Sequence, residues 1–253
     1  MAVETSARVK HELEHGRRLA SGDTEYLWGW GTPAGRIRVE HRSSLIVQGA
    51  NLGPGMHAME IGSGTGLFTS IFCRTGASIT ALELVPELVE KARLRNIPGA
   101  VFATGRFEDF AGDSCFDAVI GNSVLHHLEV EESLTRIYNL LKPGARMSFA
   151  EPNLMNPQIY LERKFHYLPI FDYTSPDETA FIRWRLKRLL QKIGFQDIRI
   201  QLFDWLHPHT PKSLIPIVSR LGNILERSPV IREISGCLAI SAARPASAAN
   251  RTP

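Results

Sequence analysis

The chain has 253 residues, a formal net charge of +3 at pH 7 and a hydrophobic fraction of 43%, so it can bury one sizeable core and we expect a single domain. It contains no long basic run, which argues against nucleic acid as a partner and gives no electrostatic reason for a membrane-surface role. Its N-terminus is too charged for a signal peptide and no apolar stretch approaches the length of a membrane span, so the sequence predicts a cytoplasmic protein without membrane insertion.

The first fifty residues predict a helical cap that precedes the main sheet. Residues 3–19 have the composition of a polar helical arm. A short glycine-containing segment then brings together three aromatic side chains, Tyr26, Trp28 and Trp30. Because aromatic side chains bury well in either role, this cluster either closes over a ligand or packs as a plug against the core.

A longer helix follows the aromatic segment. Thr32 and Pro33 have the pattern of an N-cap and a first helical position, and the helix that they begin extends to about Gln48. Its three arginines are predicted to lie on the solvated face: Arg36, Arg38 and Arg42.

Residues 56–68, MHAMEIGSGTGLF, are the central motif and predict a strand, a tight turn and a helix. Three closely spaced glycines form the turn, where the backbone bends sharply and approaches a ligand without a Cβ atom in the way: Gly62, Gly64 and Gly66. This is the opening of a βαβ nucleotide-binding unit.

Two residues of this motif indicate which nucleotide binds. Leu67 stands where a dinucleotide-binding turn has its third glycine or an alanine. Glu60 precedes the turn, and its carboxylate would repel a pyrophosphate but stabilise a ligand that carries an ammonium and a sulfonium group. The sequence therefore predicts S-adenosylmethionine as the cofactor, with NAD(H) as the weaker alternative.

The acid followed by GxGxG, Glu60 to Gly66, resembles the first motif of the class I S-adenosylmethionine-dependent methyltransferases. Glu83 ends the next apolar strand, at the position where an acid binds both ribose hydroxyls. The resemblance covers roughly residues 56–153. It implies an α/β, Rossmann-like, doubly wound fold: a mostly parallel seven-stranded sheet with helices on both faces and an antiparallel last strand.

The resemblance also implies a set of cofactor-binding residues. Arg106 occupies the position where relatives often carry the Asp that binds adenine, so adenine recognition would rest on the backbone of Arg106 and Phe107 or on a nearby carboxylate. The full set is Glu60, Gly62, Ser63, Gly64, Gly66, Glu83, Leu84, Arg106, Phe107, Glu108, Asn122 and Ser123.

The candidate catalytic residues follow the fourth and fifth strands. His126 and His127 come shortly after the apolar run Phe116 to Ile120, at the edge of the sheet where ligands bind in this class of fold. An imidazole titrates near neutral pH, so either histidine can take a proton from an acceptor hydroxyl. The alternative is that they orient a loop by hydrogen bonding. Glu151 is a possible partner or alternative base.

Two segments outside the shared pattern are predicted to bind the methyl acceptor. Residues 152–174 form a largely irregular stretch with several aromatics, and residues 204–230 form a second insertion. Between them, a capping box at residues 175–178 predicts a helix that ends at Gly194. The candidate acceptor-binding residues are Tyr26, Trp28, Trp30, Tyr160, Phe165, Tyr167, Phe171 and Trp205.

Residues 1–253 are thus predicted to form one methyltransferase domain, with a cap (1–50), a cofactor-binding core (51–151), the two insertions and a disordered tail (243–253). Aromatic insertions enclose small ligands, so we expect a small organic acceptor, methylated on a hydroxyl by in-line displacement without a metal. The alternatives are N- or C-methylation of a small molecule and a non-catalytic S-adenosylmethionine-binding subunit. The oligomeric state stays open.

Overall fold

The computed structural model describes residues 7–168 and 177–246. Within these residues seven strands form one sheet in the order β3-β2-β1-β4-β5-β7-β6. Strand β7 pairs antiparallel with both β5 and β6, whereas the other pairs are parallel. The strands are β1 (His57–Ile61), β2 (Ser78–Glu83), β3 (Ala100–Thr104), β4 (Phe116–Asn122), β5 (Leu141–Pro152), β6 (Gln196–Phe203) and β7 (Cys237–Ala243). The predicted fold is therefore confirmed.

Helices cover both faces of this sheet, because the central strands are apolar on both sides. In β4, Val119 packs into one hydrophobic cluster, while Ala118 and Ile120 pack into the other. Helices α6 and α8 contribute to the first cluster, and α3 and α4 to the second. The helices are α1 (Ala7–Ala20), α2 (Thr24–Leu27), α3 (Pro33–Ala50), α4 (Leu67–Phe72), α5 (Pro86–Arg93), α6 (Val130–Leu140), α7 (Pro157–Lys164), α8 (Arg183–Ile193) and α9 (Ile215–Leu225). In the part of the chain that the model covers, none of them combines the length and apolar character needed to cross a bilayer.

Helix α3 begins as predicted, but one of its arginines is not on the surface. The Thr32 side chain accepts a hydrogen bond from Gly35 N–H (2.9 Å). Arg36 is exposed, whereas Arg42 is only 3% exposed, so its predicted place on the solvated face is wrong. The helical pattern could not reveal this, because Arg42 is held by Asp204 from a distant segment.

The first insertion also differs from its prediction. It contains helix α7, which Asn156 caps by accepting hydrogen bonds from Gln158 N–H and Ile159 N–H. The helix predicted from residue 175 is wrong over residues 177–182, which are not helical, while residues 175–176 lie outside the described residues. Thr179 N–H instead donates to the carbonyl of His126 (3.0 Å), which ties this segment to the sheet edge. Helix α8 does end at Gly194, which has a φ of +113°. Most of the predicted tail, residues 247–253, also lies outside the described residues.

Candidate active site

A cavity of about 960 Å³ lies at the carboxyl ends of the parallel strands, the edge at which open α/β sheets bind ligands. Its wall is formed by the glycine turn after β1 and by the segments that follow β2, β3 and β4. Residues from α1, α7 and the segment after β6 complete it. The residues predicted for the cofactor and those predicted for catalysis thus meet at one cavity.

The glycine turn is built so closely that side chains do not fit at two of its positions. Gly62 and Gly64 have φ angles of +69° and +53°. A Cβ atom on Gly62 would lie 2.6 Å from Cγ2 of Val124, and one on Gly64 would lie 3.0 Å from the ring of Trp28. The turn therefore presents bare backbone to the cavity.

Glu83, at the end of β2, fixes the conformation of this turn. Its Oε2 accepts a hydrogen bond from Gly64 N–H and its Oε1 accepts one from Val85 N–H, both at 2.9 Å. Burial raises the pKa of Glu83, and these backbone N–H groups oppose that shift. The carboxylate lines the cavity next to the turn, where hydroxyl groups of a bound ligand can donate to it.

Glu60 does not lie where the sequence argument puts it. It is 1% exposed, does not line the cavity, and its Oε2 accepts a hydrogen bond from Thr69 Oγ1 (2.5 Å) beneath the turn. Burial raises the pKa of Glu60 to about 8. Because the group is then mostly neutral at pH 7, the carboxylate charge that was to stabilise a cationic ligand is not present at this position.

The N-terminal cap closes over the turn and separates the roles of the three aromatics. Trp28 lies over Gly64, whereas Trp30 packs edge-on against Phe68 in the core and also lines the cavity. Tyr26 is 57% exposed and does not line the cavity. The two sequence interpretations therefore each describe one tryptophan, the first as a cover and the second as a plug.

The segment after β3 supplies the wall opposite the turn. Arg106, Phe107 and Glu108 all line the cavity, together with Leu84. The Arg106 guanidinium lies 3.8 Å from Oε2 of Glu108 and 3.6 Å from Oδ2 of Asp109. These two carboxylates hold the guanidinium in place.

His126 is held by Glu151 in an orientation suited to proton transfer. Its Nδ1 lies 2.7 Å from Oε2 of Glu151, while Oε1 of that carboxylate accepts hydrogen bonds from Val124 N–H (3.0 Å) and Leu125 N–H (2.9 Å). A neutral imidazole that donates from Nδ1 leaves its Nε2 free to accept a proton. Burial lowers the pKa of His126 well below its usual range, and the neighbouring His127 lowers it further. His126 therefore lines the cavity as a neutral acceptor.

Glu151 itself cannot act as an independent base on a ligand. It is 0% exposed and does not line the cavity. Burial raises the pKa of Glu151 to about 7, and the backbone N–H groups of Leu125 and Val124 oppose the shift. The structure thus supports its predicted role as the partner of His126 and not the role of an alternative base.

His127 forms a second pair, with a residue of the N-terminal cap. Its Nδ1 lies 2.9 Å from Oε2 of Glu12 on α1. Burial lowers the pKa of His127, but the hydrogen bond and charge of Glu12 outweigh burial, so the net shift is upward. Arg8 on the same helix donates from Nε to the His127 carbonyl (2.8 Å). His127 is therefore a contact between cap and core.

His126, His127 and Glu178 form a group close enough to hold a metal ion, with one ligand atom from each lying within 4.8 Å of the others. The sequence argument missed it because Glu178 comes from a distant segment. However, Nη2 of Arg163 lies 2.6 Å from Oε2 of Glu178 and supplies the positive charge next to that carboxylate. We therefore describe the group as a hydrogen-bonding and ion-pair network.

A buried cationic pair, which the sequence argument also missed, lies farther along the cavity wall. Arg38 and Arg42 both donate to Oδ2 of Asp204 (2.8 Å), and Arg42 also donates to Oδ1 of Asn122 (3.1 Å). Asp204 has a φ of +78°, and burial raises its pKa while the two arginines lower it more, so the net shift is well below its usual range. Two guanidinium groups share one carboxylate beside Ser123.

The predicted site residues fall into three groups. Those that line the cavity are Gly62, Ser63, Gly64, Glu83, Leu84, Arg106, Phe107, Glu108, Asn122, Ser123, His126, His127, Trp28, Trp30 and Trp205. Those that do not are Glu60, Gly66, Glu151, Tyr26, Tyr160, Phe165 and Tyr167; Gly66 packs against α5 and β3, and Tyr160 and Tyr167 are exposed at the surface. Phe171 lies outside the described residues.

Comparison with known proteins defines the class of protein. Residues 59–149 match the family model described as a methyltransferase domain. Phosphoethanolamine N-methyltransferase 2 of Haemonchus contortus shares the fold with a TM-score of 0.67 and 14% identity, over 95% of this chain and 61% of that one. The N-methyltransferase NodS of Bradyrhizobium japonicum does so with a TM-score of 0.63 and 15% identity, over 93% and 99%. The chain has the class I methyltransferase fold, which confirms the resemblance carried by the glycine motif.

The curated relatives are similar over a shorter range. The ubiquinone biosynthesis O-methyltransferase of Xanthomonas campestris pv. campestris is 34% identical over 106 residues, which are 40% of this chain. The matched part is 44% of that relative, so the chain spans less than half of its length. An uncharacterized methyltransferase of Synechocystis is 28% identical over 170 residues, 65% of this chain and 78% of the relative.

Proposed function

We propose that the protein transfers the methyl group of S-adenosylmethionine to a hydroxyl oxygen of a small, partly apolar acceptor. The observation that carries this proposal is the neutral His126 imidazole, which a buried carboxylate orients in the same cavity as the bare glycine turn. The turn and Glu83 fit an adenosine ligand, and the histidine fits an acceptor that must lose a proton.

The residues of the cavity fit S-adenosylmethionine on three grounds. Gly62 and Gly64 provide a cradle that a Cβ atom would fill. Glu83 would accept hydrogen bonds from the ribose hydroxyls, and Arg42 would bind the carboxylate of the methionine part. Eight acidic residues line the cavity against five arginines, a balance that favours the positive sulfonium and ammonium groups.

When bound, S-adenosylmethionine supplies a methyl group already activated by its sulfonium, so the protein contributes mainly alignment and the exclusion of water. An alcohol or phenol is mostly protonated at neutral pH. Nε2 of His126 takes the hydroxyl proton as the oxygen becomes the nucleophile, and Glu151 stabilises the imidazolium that forms. Trp28 and Trp205 enclose the acceptor from the cap and from the second insertion, which supports a small organic molecule as the acceptor.

A second candidate function is methylation of an amine, which the names of the solved N-methyltransferases favour. An amine that binds as its free base needs no general base, so the His126–Glu151 pair favours oxygen. A non-catalytic S-adenosylmethionine-binding subunit would need no acceptor site, and the cavity wall beyond the turn argues against it.

The test is to measure S-adenosylmethionine binding by calorimetry and then to offer the labelled cofactor with matched phenols, catechols, aliphatic alcohols and amines. We expect binding and O-methyl ethers as products. Methylation only of the amines would replace the hydroxyl assignment, and absence of cofactor binding would contradict the proposal as a whole. The His127→Gln variant is the matched control for His126→Gln, because the two rings lie with their centroids only 4.1 Å apart.

A further inference from the structure

Helix α9 exposes an apolar stripe where a surface helix is ordinarily polar. Its buried side consists of Ile215, which packs with Ala34 and Leu206, and Gly222, which packs against Trp205. The opposite side presents large apolar side chains at helical spacing, continuing from the turn before the helix. These are Leu214 (47% exposed), Ile217 (59%), Leu221 (54%) and Ile224 (56%). An exposed stripe of this kind marks an interaction surface.

The apolar surface continues beyond the helix. The chain passes from α9 into the segment around a short 3-10 turn (Ile231–Ile234), whose exposed side chains are Val230 (77%), Ile231 (42%) and Ile234 (39%). Asn156, at the start of α7, donates from Nδ2 to the Ile234 carbonyl (2.9 Å), which brings α7 next to this turn. We call the stripe of α9 together with Val230, Ile231 and Ile234 the α9 face.

Basic side chains accompany the α9 face. Lys212, Arg220 and Arg227 are exposed, and within residues 7–168 and 177–246 none of the three forms an ion pair. The nearest acids in sequence are already engaged: Glu226 accepts the Asp204 N–H, and Glu233 pairs with Arg183 (2.8 Å). Residues 153–234 hold twelve Lys and Arg against eight Asp and Glu. The α9 face thus combines apolar and cationic character.

We propose that the α9 face binds the surface of an anionic lipid bilayer. In such a complex the apolar stripe lies in the headgroup region and Lys212, Arg220 and Arg227 contact lipid phosphates. A second copy of the chain fits this surface less well, because a two-fold interface would bring the same basic side chains of both copies together. An anionic bilayer matches both the apolar stripe and its positive charge.

The α9 face is directly connected to the candidate active site. Gly222 of α9 packs against Trp205, which lines the cavity. A helix seated in the headgroup region therefore places one wall of the cavity at the bilayer, from which an apolar acceptor can reach it. This last step rests on the proposed function, whereas bilayer binding does not.

The test uses the full chain, vesicle co-sedimentation and no cofactor, so its outcome is independent of methyl transfer. The vesicles are phosphatidylcholine alone and phosphatidylcholine mixed with phosphatidylglycerol. We expect binding to the anionic vesicles, at least tenfold weaker binding to the neutral ones, and loss of binding at high salt. The Ile217→Gln/Leu221→Gln variant and the Arg220→Gln/Arg227→Gln variant should each bind at least tenfold more weakly.

Leu94→Gln is the matched control, because Leu94 is 80% exposed and lies on the other side of the sheet order, after α5. It should bind vesicles like the wild type. Absence of binding to anionic vesicles would overturn the proposal, as would equal binding by the α9-face variants. A wild-type dimer that the Ile217→Gln/Leu221→Gln variant converts to a monomer, without any vesicle binding, would assign the surface to self-association instead.

Discussion

Replacing Glu151 by Gln tests the proposed mechanism most directly, because it changes one proton and almost no volume. The Gln oxygen can still accept from Val124 N–H and Leu125 N–H, which hold the carboxylate at 3.0 and 2.9 Å. The amide nitrogen then faces Nδ1 of His126 and donates to it. The imidazole must therefore carry its proton on Nε2, and it can no longer accept one from the acceptor.

The expected loss follows from the contribution of a general base. Such a base contributes about 10²- to 10⁴-fold to the rate, which corresponds to roughly 3 to 5 kcal/mol in the barrier. Cofactor affinity should stay unchanged, because Glu151 does not line the cavity. The variant should thus lose turnover while it still binds S-adenosylmethionine like the wild type.

The pH profile gives a second readout. Burial raises the pKa of Glu151 to about 7 and lowers the pKa of His126 well below its usual range. As the pH falls through about 7, the pair therefore takes up one proton, and the apparent pKa belongs to the pair. Wild-type turnover should fall below this pH, whereas Glu151→Gln should stay low across the range.

Turnover at saturating cofactor from pH 5.5 to 9 and nitrogen-15 NMR of the histidine tautomers are the measurements. The NMR spectrum needs no acceptor and should show Nε2–H for His126 in the variant. If the tautomer changes and turnover stays within about threefold of wild type, His126 is not the base. Alignment alone would then have to account for the rate.

Three further outcomes concern the cofactor side of the cavity. Glu83→Gln should weaken S-adenosylmethionine binding by roughly 1.5 to 3 kcal/mol in calorimetry, since a charged acceptor of the ribose hydroxyls is lost, and unchanged affinity would remove Glu83 from the ribose site. Gly64→Ala places a Cβ 3.0 Å from the Trp28 ring at a φ of +53°, whereas Gly55→Ala has a φ of +79° and open space; both should lose roughly 1 to 2 kcal/mol of unfolding free energy, but only Gly64→Ala should weaken cofactor binding, and equal affinities would contradict this reasoning. Because the pKa of Glu60 is raised to about 8, the folded state holds its proton longer than the unfolded chain, so wild-type thermal stability should decline as the pH rises from about 4.5 through 8; Glu60→Gln should lack this part of the decline, and a variant that declines like the wild type would assign it to other groups.

Sequence reasoning succeeded where the determining interactions are local. The strand before Gly62, the turn itself and the cap at Thr32 depend on backbone conformation and on residues a few positions apart. The end of α8 at Gly194 has the same origin, since only a residue that readily adopts a positive φ ends the helix there. These features are encoded in short segments and can be predicted from them.

It failed where a side chain finds its partner far along the chain. Arg42 fits a solvated helical stripe until Asp204 is brought beside it by the segment after β6. Glu178 fits a capping box, but Arg163 draws its carboxylate into the cavity wall. For Glu60 the missing quantity is the cost of burial, which a charge argument from sequence does not include.

Strand direction has an evolutionary consequence. Strands β5 and β6 both run antiparallel to β7 and hence parallel to each other, so the segments that follow them emerge at the same edge of the sheet. The residues that match the methyltransferase domain model end at 149, before either segment begins. Mutations can therefore accumulate in these two inserts without altering the glycine turn or Glu83. A lineage can exchange one methyl acceptor for another while inheriting its cofactor-binding half intact.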